Sequence, residues 1–459
     1  MQPIDPAILR AYDIRGLVDQ DLTENSVRQL GHAIGSTARA ANQDTLVVGY
    51  DGRSSSPRLA KALQAGLRAA GCDVIDIGQV PTPVMYFATH HLGTQAGVAI
   101  TGSHNPAAYN GLKTIINGRP LWGEGIAALG TRIANNDLYH GRGESRQADV
   151  LSAYTARITG DVQLTRPLRV VVDCGNGVPG AVAPGVLAAL GAEVIPLFCE
   201  VDGDFPNHHP DPTVPENLTD LIAAVAEHNA DLGLAFDGDG DRLGVVDDSG
   251  HIIWADRQMM LYARAILANQ PGAQIVFDVK CSARLAEVIE QAGGEACMWK
   301  TGHSLIKEKL RETAAPLAGE MSGHLFFNDR WYGFDDAIYA AARLLELLSA
   351  ESRSASAIFA ELPEPVTTPE IRLDLNEGEP ARLMQALMQQ ANDFSEARVT
   401  TIDGLRVDFA NGWGLVRASN TQPCLVMRFE GTNQAQLNAI QQRFDTLIAQ
   451  AAAAEGITV

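Results

Sequence analysis

Residues 98–113, VAITGSHNPAAYNGLK, decide how the rest of the chain is interpreted. Their first apolar residues predict the end of a buried strand. Gly102 and Pro106 bracket a tight turn, which holds the Ser103 hydroxyl out of the sheet. A serine placed in this way is presented as a nucleophile, although serine beside glycine is also common in ordinary loops.

Strands and helices alternate around this stretch. Strands are predicted at residues 46–50, 74–77 and 96–101, and a helix at residues 57–70. This order indicates a mainly parallel sheet that helices cover on both faces. Ligands of such sheets bind at the carboxyl ends of the strands, which is where Ser103 lies.

The same pattern restarts near Leu168 and again after a turn at residues 248–250. Three segments of similar size each end an apolar run in a polar, glycine-containing loop: AITGSH, LAFDGD and LAGEMSGH. This pattern indicates a weak threefold repeat, and a chance resemblance is the open alternative. Beyond Glu370 the strands run together. We therefore predict three tandem mixed or parallel α/β domains (residues 1–150, 151–252 and 253–365) and a C-terminal α+β lid domain (residues 366–459) around a central cleft.

Composition narrows the class of protein. The 459 residues carry a formal net charge of −20, which argues against nucleic acid or an anionic membrane as the main partner. The six cysteines form no CxxC pair, and the N-terminus lacks the pattern of a signal peptide. We therefore expect a cytoplasmic protein with reduced thiols.

The loop DGDGDR places Asp237, Asp239 and Asp241 directly after a buried strand. Three carboxylates so close together repel one another, and a hard divalent cation would relieve that repulsion. An EF-hand is excluded, because its sixth position is Arg242 and its twelfth is Asp248. An aspartyl-phosphate hydrolase with Asp237 as nucleophile and a solvated acidic turn stay open. Arg242 is expected to contact a phosphoryl oxygen of the substrate.

Two further loops carry groups suited to a phosphosugar. RASNTQP offers a guanidinium, hydroxyls and an amide for a phosphate clamp, or it is an ordinary turn. In GEMSGH, Glu320 and Ser322 are placed to accept hydrogen bonds from, and donate them to, vicinal hydroxyls of a sugar. The alternative is an ordinary hairpin turn.

Single residues elsewhere are weaker candidates. His303 in KTGHS and Lys280 after the strand IVFDV stand where parallel strands deliver functional groups, and a structural role is also open for each. Tyr12 and Arg15 lie in the turn YDIRG. Arg53 in YDGR is interpreted as a structural ion pair.

TGSHNP, DGDGDR, GEMSGH and RASNTQP, in this order on four successive segments, resemble the α-D-phosphohexomutase superfamily. FPNHHPDP at residues 205–212, together with GEMSGH, most resembles its bacterial phosphomannomutase/phosphoglucomutase branch. The resemblance covers essentially the whole chain.

The resemblance implies a resting enzyme with phosphorylated Ser103, and Mg²⁺ held by that phosphate and the three aspartates. A hexose 1,6-bisphosphate would be the intermediate and activator. Proton-transfer or orienting roles would fall to Lys113, His303, His324, Tyr12 and Arg15. Glu320 and Ser322 would bind the sugar O3 and O4, and the non-reacting phosphate would be held by Arg417, Ser419, Asn420 and Thr421. Apart from the resemblance, Arg242 and Lys280 are expected to bind substrate.

The leading hypothesis is reversible transfer of phosphate between C1 and C6 of mannose and glucose phosphates. The alternatives are a phosphoglucosamine mutase, an aspartyl-phosphate phosphatase and a non-catalytic binding protein. Met321 argues against the first, because phosphoglucosamine mutases usually have the sequence GEQSGH at this loop. We expect a monomer whose partner is a phosphosugar. A Ser103 hydroxyl that is buried, or far from the carboxylates at residues 237–241, would contradict this account.

Overall fold

A computed structural model describes residues 4–390, 394, 396–420 and 422–459. The chain folds into two compact units, each made of two stretches of sequence. The first unit comprises the chain up to Ala255 together with Ser322–Phe359. The second comprises Asp256–Met321 and Ala360–Val459. The four predicted domain boundaries stay a prediction.

The opening segment of the first unit builds a mixed sheet in the order β1-β5-β4-β2-β3-β7, with β6 paired to β5. Its elements are β1 (Ile14–Leu17), α1 (Glu24–Ala40), β2 (Thr45–Tyr50), α2 (Ser56–Ala69), β3 (Asp73–Gln79), α3 (Thr82–His91), β4 (Gly97–Ile100), β5 (Tyr109–Ile116), β6 (Arg119–Pro120), α4 (Glu124–Ala134) and β7 (Ser145–Gln147). Every residue of β4 is buried, as expected for a strand with helices on both faces.

The next segment builds a second sheet in the order β12-β11-β10-β8-β9. Its elements are α5 (Leu151–Thr159), β8 (Arg169–Asp173), α6 (Ala183–Ala189), β9 (Glu193–Leu197), α7 (Thr219–Glu227), β10 (Leu232–Phe236), β11 (Leu243–Asp247) and β12 (Ile252–Ile253). β10 is buried along its whole length and ends directly before DGDGDR.

The third segment contributes to both units. Its elements are α8 (Ala255–Leu267), β13 (Gln274–Asp278), α9 (Ala283–Gln291), β14 (Glu295–Trp299), α10 (His303–Thr313), β15 (Leu317–Gly319), β16 (Leu325–Phe327), α11 (Ala337–Ser349) and α12 (Ala355–Phe359). In the second unit β13 pairs in parallel with both β14 and β15.

The last segment lies in the second unit and forms an antiparallel sheet in the order β17-β22-β21-β20-β19, with β18 also paired to β22. Its elements are β17 (Val366–Thr367), β18 (Ile371–Asp374), α13 (Glu379–Gln389), β19 (Arg398–Thr400), β20 (Leu405–Phe409), β21 (Gly412–Ala418), β22 (Cys424–Gly431) and α14 (Gln434–Glu455). α13 and α14 supply its apolar core, which includes Leu383, Leu387 and Phe444. This confirms the predicted α+β character.

The weak repeat in the sequence corresponds to a repeat in topology. In the first sheet β3, β2 and β4 are parallel and β5 is antiparallel to β4. In the second sheet β9, β8 and β10 are parallel and β11 is antiparallel to β10. TGSHNP joins β4 to β5, and DGDGDR joins β10 to β11 at the equivalent position. GEMSGH follows β15, which occupies the corresponding place beside β13.

Among the residues that the structure describes, none of the helices combines the length and apolar character needed to cross a membrane.

Arg53 fixes the shape of the loop that carries Ser103. Its side chain is almost completely buried, and its Nε donates to Asp51 at 3.1 Å. Its two terminal nitrogens donate to four backbone carbonyls of the loop, those of Ser103 (2.8 Å), Asn105 (2.6 Å), Pro106 (2.7 Å) and Tyr109 (3.1 Å). The loop also passes so close to Arg53 that a Cβ at Gly102 would lie 2.4 Å from Nε. Arg53 therefore holds the conformation of the whole loop through these hydrogen bonds, in addition to forming the ion pair expected from the sequence.

Replacement of Arg53 by Met should destabilise the first unit, because it leaves Asp51 and four carbonyls without their buried donor. We expect the free energy of unfolding to fall by about 3–5 kcal/mol, as when one partner of a buried pair is removed. Urea denaturation measures this change. Arg58→Met is the control, since Arg58 pairs with Asp19 at 2.7 Å on the surface and should cost less than about 1 kcal/mol. Equal losses in the two variants would contradict the assigned role of Arg53.

Candidate active site

Ser103 lies in the connection between β4 and β5 with a left-handed backbone, φ 48°. Non-glycine residues adopt this conformation rarely, and such strain is concentrated at functional sites. The Ser103 amide donates to the Thr101 hydroxyl at 2.8 Å, which holds the turn. The Ser103 hydroxyl donates to Oδ2 of Asp237 at 3.0 Å and lies 3.1 Å from Nδ1 of His104.

The sequence account required a Ser103 hydroxyl that is both near the carboxylates and accessible. Its proximity to the carboxylates is confirmed by the contact with Asp237. The predicted accessibility is wrong, because Ser103 is only 3% exposed; this is the outcome named above as contradicting the account, so the contact with Asp237 alone supports it. Burial shields this side chain from water.

Asp237, Asp239 and Asp241 are all fully buried, with ligand oxygens within 4.8 Å of one another. Oδ1 of Asp237 accepts from three successive amides, those of residues 240–242, at 3.0, 3.0 and 3.1 Å. Burial, reinforced by the two neighbouring carboxylates, raises the pKa of Asp237 well above its usual value. The loop that carries these residues packs on Ser103, since a Cβ at Gly238 would lie 2.4 Å from the Ser103 carbonyl oxygen.

A divalent cation fits this cluster. Oδ1 of Asp239 and Oδ1 of Asp241 are buried and have no hydrogen-bond partner among the described residues. Carboxylate oxygens are the ligands that Mg²⁺ prefers, and a buried oxygen without a partner is costly. The donor set therefore matches the cation predicted from the sequence.

Lys113 on β5 enters the same cluster. Its ammonium lies 2.8 Å from Oδ2 of Asp239 and 2.5 Å from Oδ2 of Asp241. Although burial opposes the charged form, the two carboxylates raise the pKa of Lys113 well above its usual value. Burial likewise opposes ionisation of Asp239, yet Lys113 and a hydrogen bond from Thr82 lower the pKa of that carboxyl. Lys113 is thus held as a cation beside the Ser103 loop.

Further cations surround His104. Burial first, and then the charges of Arg242, Arg15 and Lys113, lower the pKa of His104 well below its usual value. Arg15 lies on β1 opposite Gly111 of β5, and its guanidinium contacts Asp13 at 2.6 Å. Tyr12 precedes this pair at a half-buried position. The structure therefore brings Arg15, Arg242 and Lys113 to the serine loop.

His324 also belongs to the first unit. Its Nε2 accepts from Nε of Arg242 at 3.0 Å, and its Nδ1 lies 3.1 Å from Oδ2 of Asp335. Residues 242 and 324 form a β-bridge, and the Leu243 amide donates to Gly323 at 3.1 Å. The second half of GEMSGH is consequently anchored on the end of DGDGDR.

Apart from Ser322, the remaining predicted site residues lie in the second unit. Glu320 is buried, and its Oε1 accepts from the Gly302 amide at 2.5 Å, directly before His303 opens α10. Lys280 follows β13, and its ammonium lies 3.0 Å from Glu370. That ammonium lowers the pKa of Glu370 to about 2. The boundary between the two units falls inside GEMSGH, so Ser322 belongs to the first unit and Glu320 to the second.

Arg417 on β21 is buried, and its Nε donates to Oδ2 of Asp403 at 3.1 Å. Its Nη2 is buried and has no partner within the part of the chain that the structure describes. Ser419 and Asn420 follow at the end of β21. Thr421, predicted as part of the same clamp, lies outside the described residues. An arginine whose buried N–H group has no hydrogen-bond partner is suited to binding an anion.

Sequence reasoning missed several residues that shape the site. The partners of the predicted groups, among them Thr82, Asp335 and Asp403, carry no motif of their own and meet the site only through the fold. His104 lay inside TGSHNP but received no role.

The comparisons with known proteins agree with this geometry. Four family models, described as phosphoglucomutase/phosphomannomutase alpha/beta/alpha domains I, II and III and C-terminal domain, match residues 7–140, 152–250, 254–366 and 370–447.

Relatives and solved structures match over nearly the full length. A phosphomannomutase/phosphoglucomutase of Pseudomonas putida is 55% identical over 96% of this chain and 95% of its own. Its namesake from Pseudomonas aeruginosa is 53% identical over 96% of each chain. A crystal structure of a phosphoglucomutase/phosphomannomutase family protein from Burkholderia thailandensis has a TM-score of 0.93, 50% identity and 98% coverage of each chain. The predicted four-part α/β architecture and the predicted enzyme class are thereby confirmed, and the chain belongs to the phosphoglucomutase/phosphomannomutase family of the α-D-phosphohexomutase superfamily.

Proposed function

We propose that this enzyme moves phosphate reversibly between C1 and C6 of mannose and glucose phosphates, through phosphorylated Ser103 and a hexose 1,6-bisphosphate. The single observation that carries the proposal is the strained Ser103, whose hydroxyl contacts the first of three buried aspartates. The family membership and the names of the relatives support the hexose phosphate mutase activity.

In the proposed cycle, a hydroxyl of the hexose monophosphate attacks the phosphorus on Ser103. A new P–O bond forms to the sugar, the bond to the serine oxygen breaks, and the hydroxyl proton passes to a nearby base. The Ser103 oxygen then attacks the phosphorus of the other phosphate, the bond between that phosphorus and the sugar oxygen breaks, and the sugar oxygen takes up the proton, which completes the cycle. Such transfers need positioning and charge neutralisation more than covalent assistance.

Asp237, Asp239 and Asp241, together with the phosphate on Ser103, would hold Mg²⁺, as the family implies. When bound, the cation would supply neutralising charge to the phosphoryl group. Lys113 and Arg242 add fixed positive charge beside the Ser103 loop. Because contacts with Asp239 and Asp241 keep Lys113 protonated, we assign it to charge neutralisation and to orienting the transferring group.

We assign His324 an orienting or proton-transfer role in the first unit, because Arg242 and Asp335 contact its two ring nitrogens and so orient the ring. We assign His303 to the same class of role from its place at the start of α10, with Arg15 and Tyr12 orienting the serine loop. In the second unit we assign Glu320 and Lys280 to the sugar, and Arg417, Ser419, Asn420 and Thr421 to the distal phosphate. Ser322, in the first unit, is likewise assigned to the sugar.

The geometry disfavours a phosphatase with Asp237 as nucleophile. One oxygen of this carboxylate accepts from three amides, and the other accepts from the Ser103 hydroxyl. Neither oxygen is available for attack without breaking that arrangement. The preference for glucose and mannose over an amino sugar rests on Met321 and on the names of the relatives.

We further propose that the enzyme acts as a monomer in the cytoplasm, with a phosphosugar as its partner. All six cysteines are free thiols, which fits a reducing compartment. The lid movement of the last segment stays a prediction.

The phosphoserine is tested by intact-mass measurement. After incubation with glucose 1,6-bisphosphate, the protein should gain about 80 Da, the mass of one phosphoryl group. Ser103→Ala should show no gain and no conversion of glucose 1-phosphate or mannose 1-phosphate. Ser54→Ala, on the loop of Arg53, serves as the control and should keep both properties. A mass gain that survives Ser103→Ala would contradict the assignment.

Replacement of Asp239 by Asn tests the cation site. The change removes one of three carboxylate ligands, so the Mg²⁺ concentration for half-maximal activity should rise by at least the roughly 10- to 100-fold typical of an outer-shell change. The melting-temperature increase that Mg²⁺ gives the wild-type protein should also disappear, since only bound ion stabilises the native state. Asp220→Asn, at an exposed position on α7, is the matched control. An Mg²⁺-induced shift equal to that of the wild type would show that the site is misassigned.

A further inference from the structure

Two anchors for substrate lie in the second unit, and one chain of hydrogen bonds joins them. The first anchor is Arg417, the predicted phosphate ligand. Its Nε donates to Asp403 at 3.1 Å, while its buried Nη2 has no hydrogen-bond partner among the described residues. Asp403 therefore sets the direction in which this guanidinium faces an anion.

Asp403 binds a second group with the same oxygen. Its Oδ2 accepts from the Thr301 amide at 2.9 Å. Thr301 stands directly before Gly302 and His303, in the loop between β14 and α10. The orientation of the arginine is therefore tied to the position of this loop.

The Thr301 side chain makes the next connection. Its hydroxyl donates to Oδ2 of Asp278 at 2.8 Å. Asp278 is fully buried at the end of β13. Its other oxygen accepts from the Met321 amide at 3.1 Å and from the Cys281 thiol at 3.1 Å.

Asp278 thus connects three loops, two of which hold the predicted sugar ligands Lys280 and Glu320, while the third holds Thr301. The Cys281 contact fixes the loop of Lys280, and the Met321 contact fixes the loop of Glu320. Glu320 itself accepts from Gly302, the residue after Thr301. Thr301 is the point where this cluster meets the phosphate anchor, because its amide binds Asp403 and its hydroxyl binds Asp278.

We propose that Thr301 is a positioning residue that sets the separation between the phosphate clamp at Arg417 and the sugar-hydroxyl receptor at Glu320. A hexose phosphate must fill both anchors at once, whereas inorganic phosphate needs only the first. Thr301 therefore determines how well a ligand of hexose length fits, and it takes no part in the phosphoryl chemistry. This inference rests on the proposed function.

The test substitutes Thr301 by Val, which keeps the shape and the amide but removes the hydroxyl donor. The KM for glucose 1-phosphate should rise about tenfold, equivalent to about 1.4 kcal/mol, while kcat changes less than about threefold, since ground-state and transition-state binding are lost together. Inhibition by inorganic phosphate should be unchanged, because Asp403 still holds Arg417. Thr301→Ser, which restores the donor, should restore the KM.

Two further variants separate positioning from general damage. Thr313→Val makes the same change at the end of α10, where the hydroxyl donates to helical carbonyls of Lys309 and Leu310, and it should leave KM unchanged. In the double variant Thr301→Val with Asp403→Asn, the rise in KM should be smaller than the product of the two single effects, because both act on one loop.

The inference is overturned if Thr301→Val leaves the KM within about twofold of the wild type, a change near the limit of a meaningful free-energy difference. It is equally overturned if kcat falls at constant KM, or if inhibition by inorganic phosphate weakens in parallel. A different result bears on the proposed function alone: a wild-type protein that converts neither glucose 1-phosphate nor mannose 1-phosphate refutes that function before any variant is compared.

Discussion

The close approach of two loops, TGSHNP and DGDGDR, is the constraint on which the rest of the structure depends. Arg53 holds the first loop by four of its carbonyls, and glycine at position 238 lets the second loop reach the Ser103 carbonyl. The result is a hydroxyl 3.0 Å from a buried carboxylate. Neither loop has a regular secondary structure of its own, so this precision comes from the buried guanidinium and from the two sheets that end beneath the loops.

The charges follow from that approach. Three buried carboxylates would be unfavourable alone, and Lys113 offsets part of their charge through direct contacts with Asp239 and Asp241. The two carboxylate oxygens left without partners are the place for a cation. Around this acidic centre stand Arg15 and Arg242, which suit the oxygens of a phosphoryl group. The arrangement places negative charge at the proposed metal site and positive charge beside the proposed phosphoserine.

Much of this architecture could be predicted from the sequence, for identifiable reasons. Buried parallel strands such as β4 and β10 are continuous apolar runs that end in glycine-containing loops, so their ends mark the site directly. The carboxylates of DGDGDR and the serine of TGSHNP were found because chemistry restricts the residue types that can serve there. The exposure of Ser103 could not be predicted, because burial of a loop depends on what packs over it.

The supporting residues also escaped prediction, and the cause is distance along the chain. Thr82 contacts a residue 157 positions away, and Thr301 contacts Asp403 across 102 positions. A lone threonine or aspartate in a loop resembles any turn residue until the fold supplies its partner. Arg53 was recognised only as half of an ion pair, since the carbonyls that it binds leave no trace in the side-chain sequence.

The central claim is that the phosphate on Ser103 is passed to a sugar and not to water. A rapid-quench experiment tests it: protein labelled with ³²P on Ser103 is mixed with unlabelled glucose 1-phosphate and Mg²⁺, and the products of the first turnover are separated. The account predicts that the label appears in hexose 1,6-bisphosphate and then in hexose 6-phosphate. Label released as inorganic phosphate, or retained on Ser103 while the sugar phosphate is converted, would contradict it.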